Sequence, residues 1–324
     1  MNIAVVGATG EVGRMMLTCL DEMNVPVSRL DLFASERSEG SVIYYIDEAI
    51  TVKKLQETSL CAKYDYILFS AGGAISKYFA PIAEEAGNTV IDNSSAWRRE
   101  AHIPLVVPEI NGDLLAGYQG IIANPNCSTI QLTLALKTLH DRYGLKRVIV
   151  STYQSVSGSG YKGIRALEQQ RHGSEEVSPF SERIDLNVIP QIGAFLDDGY
   201  CMEEDKMHYE SARILNLDNL QVCATTVRVP VYYGHCEAVF AEFEQETDLA
   251  EAARLLSAAP AVVYHDNTSI TPQSLGKSND SHVSRLRYGP DKYSLCFWNV
   301  GHNVRLGAAT NAVRILLKHK QLNG

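Results

Sequence analysis

Met1-Asn2-Ile3-Ala4-Val5-Val6 runs without a break into Gly7-Ala8-Thr9-Gly10-Glu11-Val12-Gly13, and this junction restricts the fold more than any other stretch. The first six residues read as a buried strand. Val12, Met15, Met16, Cys19 and Leu20 then recur at helical spacing. A strand that turns through glycines directly into a helix opens a doubly wound sheet that binds a dinucleotide. The glycines let the backbone approach a pyrophosphate, which rests on N–H groups at the helix N-terminus. The spacing is G-x-x-G-x-x-G, with Thr9 near the place of the usual second glycine. A tight turn with no ligand would use the same glycines, so the motif needs support from the rest of the chain.

Three further strands give that support. Residues 30–35 end in Glu36-Arg37-Ser38. An acidic group there favours the free ribose 2′-hydroxyl of NAD, whereas Arg and Ser favour the 2′-phosphate of NADP. Both types are present, and the residues alone leave the choice open. If the strand extends that far, side chains alternate, so Ser35 and Arg37 share a face and Glu36 points away. Residues 64–69 open into Ser70-Ala71-Gly72-Gly73, small enough for a cofactor to lie close. Residues 89–92 lead to Asn93-Ser94-Ser95-Ala96-Trp97-Arg98-Arg99. Strands alternating with helices predict an α/β fold, with a Rossmann-type parallel sheet and its ligand at the strand C-termini.

Asn124-Pro125-Asn126-Cys127-Ser128-Thr129 carries the chemistry. An apolar helical pattern follows and stops at Tyr143-Gly144, so Cys127 falls at or just before a helix N-terminus. The helix dipole favours a thiolate there, and the first N–H groups can hold an oxyanion. A buried structural cysteine is the alternative.

With these pieces assembled, the chain resembles the aspartate-semialdehyde dehydrogenases. The motifs that carry the resemblance are G-A-T-G-x-V-G at residues 7–13, D-N-S-S-x-[FW]-R at 92–98 and L-V-V-P-E-[IV]-N at 105–111. N-P-N-C-S-T follows at 124–129 and T-Y-Q-x-V-S-G-x-G at 152–160. E-E-x-K at 203–206 and R-[VI]-P-V-x-x-x-H at 228–235 complete the series. The resemblance implies reductive dephosphorylation of L-aspartyl 4-phosphate to aspartate semialdehyde by NADPH, a step in lysine, methionine and threonine biosynthesis. In this reading Cys127 forms the thioester, His235 is the acid/base partner, and Gln154 orients the acyl group. Arg228 holds the substrate α-carboxylate, since an arginine on an otherwise apolar strand needs a partner. Glu203 meets the amino group and Lys206 adds charge; without the family, residues 203–206 look like a solvated helix face. Arg98 and Asn126 take the phosphate, with motif register alone choosing Arg98 over Arg99. NADP is expected against Gly7, Thr9, Gly10, Glu11, Val12, Gly13, Ser35, Arg37, Ser38, Ser70, Ala71, Gly72, Ser157, Gly158 and Asn303. No metal is expected.

The family's D-N-L-x-K-G-A-A stretch is altered here to His302-Asn303-Val304-Arg305-Leu306-Gly307-Ala308-Ala309, and Ser284 replaces a glycine in V-G-R-[IL]-R. Three other readings compete. N-acetyl-glutamyl-phosphate reductases share the chemistry but set glycine and an aromatic beside their cysteine. Glyceraldehyde-phosphate dehydrogenases have a different cysteine motif. A non-catalytic nucleotide-binding paralogue would not need Cys127, Gln154, Arg228 and His235 together.

At 324 residues, two domains are expected. Residues 1–127 with 304–324 form the NADP-binding part, and 128–303 form an α+β catalytic and dimerisation domain. The latter has longer strands at 147–153, 221–230 and 238–243 and an irregular polar stretch at 158–190, while a final helix at 306–319 is implied by the resemblance to return and pack on the first domain. The resemblance implies a homodimer or homotetramer through the second domain's sheet. A net charge of −9 argues against nucleic-acid or membrane partners. A strand starting at residue 2 gives the expectation of no signal peptide. Seven cysteines without a C-x-x-C pair fit a reducing cytoplasm.

Overall fold

The structure is a computed structural model, in which residues 1–174 and 178–324 are described. The chain divides into two compact units, Met1–Pro125 with Ala308–Gly324, and Asn126–Gly307.

The first unit is built on a parallel sheet. In chain order it contains β1 (Asn2–Val6), α1 (Glu11–Glu22), β2 (Arg29–Ala34), a hairpin of β3 (Val42–Tyr45) and β4 (Glu48–Thr51), and β5 (Lys53–Lys54). It continues with α2 (Glu57–Leu60), β6 (Tyr66–Phe69), α3 (Gly73–Glu85), β7 (Thr89–Asp92), α4 (Pro108–Asn111) and β8 (Ile121–Ala123). The strand order is β5-β2-β1-β6-β7-β8, all parallel, so the winding direction reverses between β1 and β6. Ile3, Val5, Leu32, Leu68 and Ile91 are fully buried, as a sheet covered on both faces requires. Met16, Leu17, Cys19 and Leu20 of α1 pack into the same core. Each fully buried side chain of this size contributes roughly 1.5–3 kcal/mol. The terminal helix Asn311–Asn323 closes the core with Ala312, Val313, Ile315 and Leu316. It is preceded by a π-helical turn at Arg305–Thr310, where a plain α-helix from 306 is expected from the sequence.

The second unit starts at α5 (Cys127–Tyr143) and continues through β9 (Leu145–Gln154), α6 (Gly160–Arg171), α7 (Met202–Leu215), β10 (Gln221–Arg228), β11 (His235–Phe243) and α8 (Leu249–Ala258). It ends with β12 (Val262–His265), β13 (Ser281–Tyr288) and β14 (Ser294–Gly301). Its mixed sheet has the order β10-β9-β11-β14-β13-β12. Burial alternates along β11, so one face of the sheet is covered and the other open. Much of α5 is fully buried, including Ile130, Leu132, Leu136 and Leu139. The irregular stretch contains a regular helix, α6, because Ile164 and Leu167 place an apolar stripe against Val156, Ile184 and Ile189.

Register places the chemistry. β9 and β10 run parallel and end on paired residues Gln154 and Arg228. β11 runs the other way and begins at His235, opposite Gly301, the last residue of β14. Four strand ends therefore meet at one edge of the sheet.

Candidate active site

Asn126 is the N-cap of α5, and its Oδ1 accepts from the Ser128 and Thr129 N–H groups at 2.9 and 3.3 Å. These two donors are thus committed to the cap, which departs from the expectation that they are available to an oxyanion. What remains at Cys127 is the dipole of a seventeen-residue helix and the neighbouring charges. Asn126 is fixed on its other sides as well. Its Nδ2 donates to Glu203 Oε1 at 2.9 Å and its backbone N–H to Glu210 Oε2 at 2.6 Å. Glu203 and Glu210 are seven residues apart on α7, one helical face, and both are buried. The run Glu203-Glu204-Asp205-Lys206 is therefore no solvated face. Glu204 is spent on structure, accepting from the Cys201 and Thr226 N–H groups.

Glu203 is the electrostatic centre. Burial alone would raise its carboxyl, but Lys206 at 3.1 Å, the Asn126 amide and the Arg228 charge together hold it down at about 2. Gln154 is 1 % exposed and its Nε2 reaches Glu203 Oε1 at 3.3 Å. Arg228, also buried, donates from Nη1 to the Ser155 carbonyl at 2.7 Å. Burial lowers the Arg228 pKa, opposed by the negative charge of Glu203 and Cys127.

His235 is fully buried. Its Nδ1 accepts the Ser155 backbone N–H at 3.1 Å, which assigns the proton of the neutral ring to Nε2. Nε2 has no hydrogen-bond partner. Burial first, then the Arg228 charge, pushes the imidazole down to about 3, so it rests neutral. Gly158 lies over this pair: a β-carbon there would sit 2.7 Å from Arg228 Nη1 and 3.3 Å from His235 Nε2. Asn303 joins the loop after β9, with Oδ1 accepting from the Gly234 N–H at 2.9 Å and Nδ2 donating to Ser157 Oγ at 2.9 Å. The altered His302 lies at a tilt against Tyr233, ring centroids 5.5 Å apart, and burial followed by the Arg305 charge holds it at about 4.

The first unit carries a cleft of about 350 Å³ at the ends of β1, β2 and β6, where the winding reverses. Gly7, Thr9, Gly10, Ser35, Ser70 and Ala71 line it. Gly7 has φ +84°, and a β-carbon on it would sit 2.6 Å from the Ser70 carbonyl oxygen. A β-carbon on Gly13 would collide with the Gly7 carbonyl, so this glycine serves helix-to-loop packing. Glu11 and Val12 begin α1, whose Gly10 cap provides no side-chain acceptor. A helix start with no capping side chain, bordered by glycine, suits a pyrophosphate. Gly72 caps α3 with φ +85°.

The ribose end differs from expectation. β2 stops at Ala34 and residues 36–38 form a 3-10 turn, so strand alternation does not apply. Glu36 lines the cleft with Lys54, which donates to it at 2.9 Å. Arg37 is exposed and is not among the lining residues, while Ser38 hydrogen-bonds Thr9 at 3.3 Å. Lys54 escapes a sequence reading because only the sheet order sets two-residue β5 beside β2. Glu210 had a signal, its seven-residue spacing from Glu203. In the same unit Arg98 is buried, donating from Nη2 to the Asn93 carbonyl at 2.8 Å, while Arg99 is exposed.

Residues 2–118 match the family model described as semialdehyde dehydrogenase, NAD binding domain, and residues 136–306 match semialdehyde dehydrogenase, dimerisation domain. An aspartate-semialdehyde dehydrogenase of Aquifex aeolicus is 46 % identical, over 97 % of this chain and 96 % of its own. One from Campylobacter jejuni is 43 % identical, over 99 % and 98 %. The crystal structure of aspartate semialdehyde dehydrogenase II of Vibrio cholerae, complexed with ASA, superposes with a TM-score of 0.96. It is 41 % identical, with 100 % of this chain and 99 % of that chain covered.

Proposed function

The chain belongs to the aspartate-semialdehyde dehydrogenase family, and from that premise we propose that it performs the NADPH-dependent reductive dephosphorylation of L-aspartyl 4-phosphate. The observation that carries the reading is the convergence of Gln154, Arg228 and His235 at one sheet edge, with Glu203 bonded to the cap of the Cys127 helix. Cys127 attacks the acyl carbon, the bond to the phosphate oxygen breaks, and a thioester remains. A nicotinamide cofactor, when bound, would supply the hydride that takes this thioester to the aldehyde oxidation level. His235 stands where the acid/base partner is expected, but with Nδ1 taken by the Ser155 N–H and the ring neutral it offers an Nε2–H, which suits the oxyanion formed as Cys127 adds. Arg228 grips the α-carboxylate and Glu203, ionised, receives the α-ammonium group. Gln154 orients the acyl group, and Lys206 and Arg98 supply charge to the phosphate. Asn126 acts chiefly through the cap, since its Oδ1 and one Nδ2 N–H are already engaged and only the second N–H is left for a phosphate.

NADP is held at the cleft of the first unit, with its pyrophosphate at Gly7–Gly13 and its 2′-phosphate beside Ser35 and Lys54. The protein is a homodimer through the open face of the second sheet, where Ile149 and Tyr153 stand 45 % and 38 % exposed; size measurement separates dimer from tetramer. No helix among the described residues is long and apolar enough to cross a membrane. All seven cysteines are free, which favours a reducing cytoplasm.

The test is phosphate-dependent reduction of NADP with aspartate semialdehyde, followed at the NADPH absorbance, in wild type and Cys127→Ser. Turnover in wild type alone, with NADPH binding retained in the serine variant, is expected. Turnover with N-acetyl-glutamate semialdehyde instead, or an active serine variant, overturns the reading.

A further inference from the structure

One turn beyond Cys127, α5 carries a buried glutamine. Gln131 is four residues on, on the same helix face, and 1 % exposed. Its Nε2 donates to the His235 carbonyl oxygen at 3.3 Å, and its side chain is near enough to Glu237 to favour the ionised carboxylate. Glu237 lies two residues past His235 on β11 and is fully buried. Asn299, its partner across the ladder on β14, donates from Nδ2 to Glu237 Oε2 at 2.9 Å and to the Gln131 carbonyl at 3.0 Å. Ser281 Oγ, 2.6 Å from Asn299 Oδ1, fixes which end of that amide points at Glu237.

The backbone below is shaped for this contact. Gly301 pairs with His235 in the ladder, and a β-carbon on it would sit 2.5 Å from Gln131 Oε1. Gln131 therefore rests directly on the strand pair from whose end His235 projects. Stability alone is a weak reason for such an arrangement. A buried polar group that loses its partner is costly, whereas an apolar set of the same shape is close to neutral. What hydrogen bonds add to a core is a single defined geometry.

We infer that Gln131, Glu237 and Asn299 form a positioning clamp that holds the helix bearing Cys127 in register with the strand bearing His235. The inference rests on the proposed roles of those two residues. The clamp works with an uncharged Glu237. Burial pushes its carboxyl up to about 8, outweighing the Asn299 hydrogen bond and the nearby Gln131 amide, and Oε1 accepts no hydrogen bond. A carboxylic acid in this position has the shape of a glutamine side chain and a similar capacity to bond.

The experiment compares Glu237→Gln and Glu237→Leu in the full-length protein, with Gln131→Met as the second route should the leucine variant fail to fold. It reads kcat and KM for each substrate, and the rate at which iodoacetamide alkylates Cys127. Glu237→Gln should stay within about threefold of wild-type kcat. The apolar variants should lose up to about a hundredfold in kcat with KM little changed, the scale of a misplacement near 1 Å. Alkylation should slow in the apolar variants and not in Glu237→Gln. Full activity in Glu237→Leu and Gln131→Met, equal losses in the glutamine and leucine variants, or a change confined to KM would overturn the clamp. A wild-type protein inactive on the semialdehyde would refute the activity instead, and the alkylation contrast would still decide the clamp.

Discussion

Gly307 lies against Cys127 so closely that a β-carbon on the glycine would sit 2.6 Å from the cysteine β-carbon and 2.9 Å from its α-carbon. Nothing in the backbone angles of residue 307 demands glycine; the neighbour does. The π-helical turn that begins at Arg305 brings residue 307 to the start of α5, and wide turns of this kind recur at functional sites.

Gly307→Ala should therefore push Cys127 out of place. The expected result is a loss in kcat of about tenfold to a hundredfold, with KM less affected. Iodoacetamide should also label Cys127 at a changed rate. Unaltered kcat would show that α5 can shift without consequence.

Arg228 and Arg98 should separate by substrate. Arg228→Leu weakens both the semialdehyde and the acyl phosphate, because both carry the α-carboxylate, by about 1.5–3 kcal/mol for one charged hydrogen-bonded contact. Arg98→Leu should raise KM for inorganic phosphate and leave that for the semialdehyde nearly unchanged. Comparison of the two KM values checks this, and a reversed pattern exchanges the roles.

Acid stability should fall in two overlapping windows. His235 titrates at about 3 in the folded protein against an ordinary 6.5, so only the unfolded chain binds its proton between those values. Stability from this residue is level above pH 6.5 and is lost as pH drops toward 3. Glu203, at about 2 against 4.5, adds stability above 4.5 that disappears as pH falls toward 2. Denaturant melts of wild type and His235→Asn from pH 7.5 to 4 should show a slope below 6.5 in wild type that the variant loses. Parallel curves would mean that His235 titrates normally.

Cofactor choice should follow Lys54 more than Arg37. Lys54→Ala should weaken NADP binding and leave NAD nearly unchanged, while Glu36→Ala, which removes the carboxylate held by Lys54, should strengthen NADP binding. Arg37→Ala should have the smaller effect, because Arg37 does not line the cleft. Calorimetric Kd values for both nucleotides decide this. A larger NADP loss in Arg37→Ala returns the phosphate site to that residue.

Much of this site is legible in the chain itself. The β1–α1 junction needs Gly7 and Gly13 because a β-carbon at either strikes backbone, and backbone collisions have no local relief, so the glycines stand in the sequence. Cys127 is legible for a similar reason: an N-cap asparagine and an apolar helix are both short-range signals. Alternation along β2 misleads at its end, since the strand closes at Ala34 and a 3-10 turn redirects Glu36 and Arg37.

The sequence by itself determined the parallel sheet, the nucleotide cleft and the helix start that carries Cys127, the proposed nucleophile, because each is encoded by residues within about one turn or one strand of one another. Only the tertiary structure decided what surrounds them. Glu210 on the cap, Lys54 on Glu36, Gly307 on Cys127 and the Gln131–Glu237–Asn299 clamp all join residues far apart in the chain. The state of His235 was likewise beyond a local reading. Burial chiefly, and then the charge of Arg228, brought beside it by the register of β9, β10 and β11, keep this imidazole neutral.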